Sequence, residues 1–177
     1  TPELADGLSV ATAIQQRRTI RRFSDQPLSL AQLTQLLWAA QGITGRRHKR
    51  AAPSAGALYP MDLYAVVGAA AVGELGAGVY RYRPAAHELA HLIDGDLRQT
   101  AADAALGQRW MARAPVSLVI TAEYTRVTAK YRERGVRYAM IEAGCIGENL
   151  FLQAEAMGLK AGMVGAFHDQ ILGQALN

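Results

Sequence analysis

Cysteine, long apolar runs and repeated segments are scarce or missing in this sequence. Cys145 is the only cysteine, which excludes an internal disulfide framework and a metal site built from several thiolates. No apolar run approaches the ~20 residues that span a bilayer as a helix, so we expect no membrane partner. No repeat or low-complexity linker divides the 177 residues, and we expect a single domain over residues 1–177.

The composition favours a folded domain with a sizeable core. Hydrophobic residues make up 50% of the chain and charged residues 19%, a balance that argues against disorder. The net charge of +4 suits an anionic ligand such as a phosphate and supports nucleic acid only weakly, so we expect no nucleic-acid partner. We expect a cytoplasmic location, although an exported form stays open because the sequence begins at Thr1 rather than Met.

Hydrophobic periodicity predicts an α+β domain in which helices pack over one sheet. One predicted helix opens on a capping box of Ser29 and Gln32 and stops at Gly42, and another is capped by Asp96. The segment 116–122 is apolar on both faces, as a central strand is. Helices are predicted over residues 8–18, 29–41, 97–108, about 137–157 and after 167. Strands are predicted over residues 63–69, 78–84, 116–122 and 160–167.

The segment "HELAH" at residues 87–91 matches the H-E-x-x-H signature of zinc hydrolases. That signature needs a sustained helix, in which two histidines one turn apart hold the metal and the Glu activates water. Here Pro84 lies just upstream and Gly95 just downstream, and the local alternation suits a strand, where His87 and His91 would stand ~13 Å apart. We interpret the match as coincidental and predict a surface hairpin with two solvated histidines and no metal.

Three stretches carry residues suited to a phosphate and a flat ring. The arginine stretch, residues 17–21, gathers three guanidinium groups and a hydroxyl, and guanidinium forks match phosphate. The small-residue loop, residues 53–58, has little side-chain bulk, so its backbone can approach a flat ligand. The glycine segment, residues 162–166, can do the same at the end of a predicted strand. Each stretch alone also has an ordinary explanation: solvated arginines, an ordered loop, or a strand end.

Together these stretches resemble the FMN-dependent nitroreductase superfamily, and most closely its SagB/ThcOx-type azoline dehydrogenase branch. The resemblance runs from about residue 12 to 177. It rests on "RRTIRRF", "LSLAQLTQLLWAAQGI", "RAAPSAGALYPMDLYAVV", "GVYRYRP", "KYRERGVRYAMIEAGCIGENLFLQAEAMGL" and "VGAF". It implies a nitroreductase-like fold with a central, mostly antiparallel sheet flanked by helices. It also implies an obligate-type homodimer with FMN at the subunit interface, touched by both chains.

The resemblance assigns roles to the three stretches. The early residues of the arginine stretch would hold the FMN phosphate, and Arg21 would lie toward the N1/C2=O edge, where a cation stabilises the charge of the reduced ring. The small-residue loop would lie against the cofactor from the partner subunit, and the glycine segment would meet the N5/O4 edge. The cofactor-binding residues predicted in this way are Arg17, Arg18, Thr19, Arg21, Pro53, Ser54, Ala55, Gly56, Leu58, Val164, Gly165 and Ala166.

Lys130 and Tyr131 are the candidate catalytic residues. In azoline dehydrogenases an adjacent Lys and Tyr in this region serve the oxidation, since a desolvated Lys near other cations can have a lowered pKa and a Tyr can relay a proton. Arg132 and Arg134 lie nearby in sequence. The alternative is a solvated helix face with Tyr131 half buried.

The function that the resemblance favours is ping-pong hydride transfer from NAD(P)H, through flavin N5, to a nitroaromatic, a quinone or a similar small-molecule acceptor. One alternative is an azoline-to-azole dehydrogenase acting on a modified peptide. Another is a basic module that binds a polyanion without catalysis, through the run at residues 46–50. Two departures from the family are expected: the extra N-terminal region of its peptide-modifying members is absent, and so is a last strand that carries a basic residue near the phosphate.

Overall fold

The computed structural model describes residues 2–3 and 7–176 and has the predicted α+β character. Its α-helices are α1 (Val10–Gln16), α2 (Leu30–Gln41), α3 (Arg98–Ala104), α4 (Thr125–Tyr131), α5 (Arg134–Ala156) and α6 (Asp169–Ala175). Its strands are β1 (Ile43–Gly45), β2 (Lys49–Arg50), β3 (Met61–Val67), β4 (Gly78–Arg83), β5 (Glu88–Asp94) and β6 (Val116–Ala122). In the described residues, no helix is both long and apolar enough to cross a membrane.

The main sheet has four strands in the order β5-β4-β3-β6, and every neighbouring pair is antiparallel. Strands β1 and β2 form a separate short antiparallel pair. The strands predicted over 63–69 and 78–84 are therefore confirmed, as is the antiparallel character of the sheet. The core joins β3 to α2 and α5 through Leu33, Leu37, Met61, Leu63 and Ile146, each no more than 2% exposed. This packing places α5 beside the candidate site.

Helix α2 begins and ends where the sequence predicts. The Ser29 side chain accepts a hydrogen bond from Gln32 N, the Gln32 side chain accepts one from Ser29 N, and the helix ends at Gly42. Helix α5 begins at Arg134, three residues earlier than predicted, and α4 precedes it as a separate short helix. Asp96 accepts a hydrogen bond from the N–H of Arg98, the first residue of α3, at 3.1 Å, but it is not the N-cap as predicted: Leu97 occupies that position without a side-chain capping bond, and α3 ends earlier than predicted.

The prediction that residues 116–122 form a central strand is wrong. Strand β6 lies at one edge of the sheet and pairs with β3. Its two faces are apolar because each packs on a different cluster. Val116, Leu118 and Ile120 contact the main core, whereas Val119 contacts a second cluster that includes Leu172 near the C-terminus. The two apolar faces of β6 therefore reflect packing layers on both sides of the sheet, and they do not indicate a neighbouring strand on each side.

The prediction of a strand over residues 160–167 is also wrong. Ala161 makes an isolated parallel bridge with Thr19, and the rest of this segment has no strand partner. Gly162 allows this segment to approach residues 19–20 closely, because a Cβ at this position would lie 2.7 Å from Ile20 O and 3.0 Å from the Trp110 ring. The segment packs closely on residues 19–20 rather than joining the sheet.

The "HELAH" segment belongs to a hairpin, as predicted. Residues 88–91 lie in β5, opposite β4, and His87 lies in the preceding turn. His87 is half-buried, and its Nδ1 lies 2.9 Å from the Tyr82 hydroxyl, so the prediction that this histidine is solvated is wrong. His91 is exposed, as predicted. In the described ranges no group of three His, Cys, Asp or Glu side chains is arranged to hold a metal.

Candidate functional site

The arginine stretch and the glycine segment lie side by side. Ile20 N donates a hydrogen bond to Ala161 O at 2.9 Å, next to the bridge between Thr19 and Ala161. Gly165 and Ala166 follow and are exposed, so their backbone groups are accessible to a ligand. The structure thus brings together two stretches that are separated by more than a hundred residues of sequence.

The three guanidinium groups of the arginine stretch have different environments. Arg17 lies over the Phe151 ring at 5.2 Å and is 3.9 Å from Glu148 Oε1. Arg18 donates to the carbonyls of Gln15 and Arg17 at 3.0 and 2.7 Å, which caps the end of α1. Arg21 lies 5.7 Å over the Trp110 ring and, in the part of the chain that the structure describes, has no ion-pair partner.

The small-residue loop has a strained backbone. Ala57 in the loop and Tyr59 just after it have φ values of 55° and 48°, in the left-handed region that non-glycine residues adopt at a cost, and Gly56 adopts a φ of 64° without that cost. The Ser54 hydroxyl accepts a hydrogen bond from Tyr59 N at 2.9 Å and closes the loop. Pro53 and Gly56 are exposed, whereas Ser54, Ala55 and Leu58 are half-buried. A fixed loop of this kind presents its backbone without large side chains in the way.

Lys130 and Tyr131 meet this loop at the end of α4. A Cβ at Gly56 would lie 2.7 Å from Tyr131 Oη and 3.1 Å from Lys130 Nζ, so only glycine allows both groups so close. Tyr131 is half-buried and packs edge-on against the Tyr138 ring at 5.1 Å. Lys130 is exposed, so burial does not desolvate its ammonium group in a single chain.

A buried polar chain beneath the loop was missed by the sequence analysis. Gln41 Nε2 donates to Glu142 Oε1 at 3.1 Å, and Arg50 Nη1 donates to Gln41 Oε1 at 3.1 Å. The Arg50 guanidinium also lies 4.5 Å over the Tyr59 ring. Burial lowers the pKa of Arg50, while the negative charge of Glu142 opposes that shift. The available signal was Glu142 itself, a charged residue within the apolar pattern of α5.

The two groups of site residues contact α5 at different points along its length. The small-residue loop meets the helix near Glu142, whereas the arginine stretch meets it at Glu148 and Phe151. Glu142 and Phe151 are about 14 Å apart along the helix axis. Within one chain, therefore, the small-residue loop and the arginine stretch do not lie next to each other.

Comparisons with known proteins agree on one family. The family model described as "Nitroreductase family" matches residues 14–177. A Methanocaldococcus jannaschii protein that carries a nitroreductase name, MJ1384, is 38% identical over 161 residues, covering 91% of this chain and 80% of that protein. The Escherichia coli microcin B17-processing protein McbC is 26% identical over 132 residues, 73% of this chain and 48% of McbC. A Ralstonia eutropha crystal structure with a nitroreductase title has a TM-score of 0.85 at 29% identity, covering 99% of this chain and 79% of that one.

Proposed function

The chain belongs to the nitroreductase family of oxidoreductases, and from that premise we propose that it binds FMN and transfers hydride from NAD(P)H to a nitroaromatic, a quinone or a similar acceptor in two half-reactions. When bound, FMN supplies a carrier that takes up and releases a hydride equivalent. The observation that carries the proposal is the contact between the arginine stretch and the glycine segment, which places cationic side chains beside exposed backbone.

The residues present fit FMN chemically. Guanidinium groups of the arginine stretch bind phosphate through paired N–H donors, and Arg21 has no competing carboxylate in the described residues. A fixed cation beside the ring edge stabilises the negative charge of the reduced form. Backbone groups of Gly165 and Ala166 are free of bulky side chains and can hydrogen-bond to a ring edge. Contacts of this kind would hold the ring in one orientation when FMN is bound.

We further propose that a second copy of the chain completes the site. The small-residue loop and the arginine stretch contact α5 about 14 Å apart along its axis, so a symmetric pair can bring the loop of one copy to the arginines of the other. Helix α5 also exposes Val136, Met140 and Ile141, with exposed fractions of 43%, 50% and 58%. An apolar helix face of this kind is typical of an interface between subunits.

The test of FMN binding uses two neighbouring arginines that differ in proposed role. Arg21→Gln should weaken FMN binding by roughly tenfold or more, because it removes a charge-assisted hydrogen bond. Arg22→Gln makes the same change in charge one residue away and should alter the affinity by less than about threefold. Affinity is measured by fluorescence titration of the flavin-free protein, and NAD(P)H should bleach the bound flavin. A colourless wild-type protein that does not bind added FMN would overturn the proposal.

A second candidate is azoline-to-azole oxidation on a modified peptide. It is favoured by the approach of Lys130 and Tyr131 to the small-residue loop, and by likeness to a relative that is named for processing microcin B17. Lys130 would accept or donate a proton at the substrate, and Tyr131 would relay it.

Substitutions in α4 separate this candidate from simple flavin reduction. Lys130→Ala and Tyr131→Phe should each lower azoline dehydrogenation by about a hundredfold or more, the usual contribution of a positioned acid or base, while FMN stays bound. Arg132→Ala, a neighbouring exposed cation, is the matched control and should keep its activity. Turnover of a synthetic azoline peptide is followed by mass spectrometry. Full activity in both variants would exclude a catalytic role for the pair.

A further inference from the structure

Helix α4 carries Lys130 and Tyr131, and little apolar packing fixes its position. Its seven residues include one buried side chain, that of Val127. A helix of about two turns is not stable on its own, so contacts outside the helix must determine where it lies. The same contacts determine how closely Lys130 and Tyr131 approach Gly56 in the small-residue loop.

Arg126, in the first turn of α4, forms a forked ion pair with Asp62 of β3. Its Nη1 donates to Asp62 Oδ1 at 3.1 Å, and its Nη2 donates to Asp62 Oδ2 at 2.9 Å. Nη1 also lies 3.4 Å from Tyr59 O, just after the small-residue loop. A fork of two parallel hydrogen bonds fixes the orientation of both partners, which a single hydrogen bond does not. Arg126 therefore connects α4 to the end of the loop.

The carboxylate of Asp62 binds a second guanidinium group as well. Arg81 of β4 donates to Asp62 Oδ2 at 3.1 Å. Burial would raise the pKa of Asp62, but the hydrogen bond and charge of Arg126, followed by those of Arg81, lower it below its ordinary value. The hydrogen bond to Asp62 also raises the pKa of Arg126. Both members of the fork are therefore charged at neutral pH.

The fork and the candidate catalytic pair lie on the same face of α4. Arg126 and Lys130 are four residues apart, so their side chains are neighbours one helical turn apart. Thr128, roughly 200° around the helix from Arg126, packs on α5 instead. A Cβ at Gly135 of α5 would lie 2.9 Å from Thr128 N, so the two helices are in close contact there. Without the fork, α4 would stay attached to α5 but would lose its tie to β3 and the loop.

We propose that Arg126 is a positioning residue, which acts through its fork with Asp62 to hold Lys130 Nζ and Tyr131 Oη against the small-residue loop. The ion pair is partly exposed, so it contributes little to the stability of the fold, and its main effect is on the position of α4. The consequence for turnover rests on the proposed function, in which Lys130 and Tyr131 transfer a proton. The position itself requires neither flavin nor substrate, so the two proposals can fail separately.

The position of Lys130 is measured in the flavin-free full chain by NMR after its lysines have been methylated with a ¹³C label. The sequence has three lysines, Lys49, Lys130 and Lys160. Lys130 Nζ lies 5.2 Å from the Tyr131 ring, so its methyl signal is sensitive to that ring, and Lys130→Arg identifies the signal. Arg126→Gln should shift the Lys130 signal and leave those of Lys49 and Lys160 unchanged. A general loss of stability would not select one lysine in this way.

Arg81→Gln is the matched control, because it removes the other guanidinium from the same carboxylate without touching α4. It should leave the Lys130 signal in place. Asp62→Asn should shift that signal as Arg126→Gln does, and the double variant should shift it no further, since both changes break one ion pair. Circular dichroism checks that each variant folds. If Asp62→Asn does not fold, the comparison of Arg126→Gln with Arg81→Gln decides the question.

Turnover tests the consequence for the reaction. Arg126→Gln should lower kcat for a synthetic azoline peptide by about tenfold or more, because a reacting group misplaced by about an ångström loses much of its effect. KM and FMN affinity should change by less than about threefold, and Arg81→Gln should keep its kcat.

An unchanged Lys130 signal in Arg126→Gln, or an equal shift in Arg81→Gln, would overturn the positioning role. An unchanged kcat in Arg126→Gln, in an enzyme that oxidises the peptide, would overturn its part in turnover. A wild type that does not oxidise the peptide would refute only the azoline function, because the NMR comparison needs no substrate.

Discussion

Arg17, Arg18 and Arg21 are close in sequence, yet their guanidinium groups do different things. Arg18 hydrogen-bonds to two backbone carbonyls at the end of α1, whereas Arg17 and Arg21 lie against aromatic rings. Stacking on a ring leaves the N–H edges of a guanidinium free for a phosphate, whereas the two hydrogen bonds of Arg18 engage its Nη1. Of the three arginines, Arg21 is therefore best placed for a new anionic ligand, because Arg17 already lies 3.9 Å from Glu148 Oε1, and phosphate binding by all three stays a prediction.

Asp96 gives a residue-scale prediction that concerns stability. Hydrogen bonds from Arg98, and then from the backbone of Ala69, lower the pKa of Asp96 to about 2. A carboxyl with a lowered pKa in the folded state stabilises that state above its unfolded pKa of ~3.9, and this stabilisation is lost as the pH falls toward 2. Asp96→Asn should therefore lower the free energy of unfolding by about 1–2 kcal/mol at pH 7 and by much less near pH 2.

Urea unfolding of wild type and Asp96→Asn at several pH values measures this difference. Asp94→Asn is the matched control, because the Asp94 side chain is 97% exposed and has only His91 nearby. A surface substitution of this kind should change the stability by less than about 0.5 kcal/mol. A difference for Asp96→Asn that is independent of pH would show that the carboxylate charge contributes nothing.

At the scale of elements, local signals were predicted well and long-range ones were not. The cap at Ser29 and the stop at Gly42 depend on residues within one helix, so the sequence alone locates α2. The segment 116–122 has the composition of a central strand, but whether a neighbour exists on each side is decided by chain topology. Residues 160–167 look like a strand because apolar residues alternate with glycine. Their close approach to residues 19–20 then replaces sheet pairing.

The candidate site follows the same division. The sequence identifies the small-residue loop and the Lys130–Tyr131 pair as separate stretches, and their contact at Gly56 depends on how α4 returns to the loop. Glu142 escapes sequence analysis because a charged residue in a helix ordinarily faces water. Its burial depends on Gln41 and Arg50, which lie about a hundred residues earlier in the chain. Partners at such separation cannot be read from local periodicity.

For the whole molecule, the central expectation is that two copies build each site. Val136→Glu combined with Met140→Glu should convert a dimer to monomers, because two charges would enter an apolar interface. FMN binding should weaken in the same variant, since the small-residue loop of the second copy would be lost. Sedimentation equilibrium measures the mass, and flavin titration measures the affinity.

Leu92→Glu is the control for this test, since Leu92 is 46% exposed on β5, which forms the opposite edge of the sheet from β6. It should leave both the mass and the flavin affinity unchanged. A wild-type chain that is monomeric and still binds FMN tightly would contradict a site shared between copies.

One chain holds the loop contact and the arginine contact apart along α5, and the proposed sharing of each site between two copies has a genetic consequence. A pair made from one copy with a defective loop and one with defective arginines would contain one ruined site and one undamaged site. Two inactive alleles could therefore restore activity to each other in the same cell. Geneticists would observe complementation within a single gene, a behaviour that a self-sufficient chain would never show.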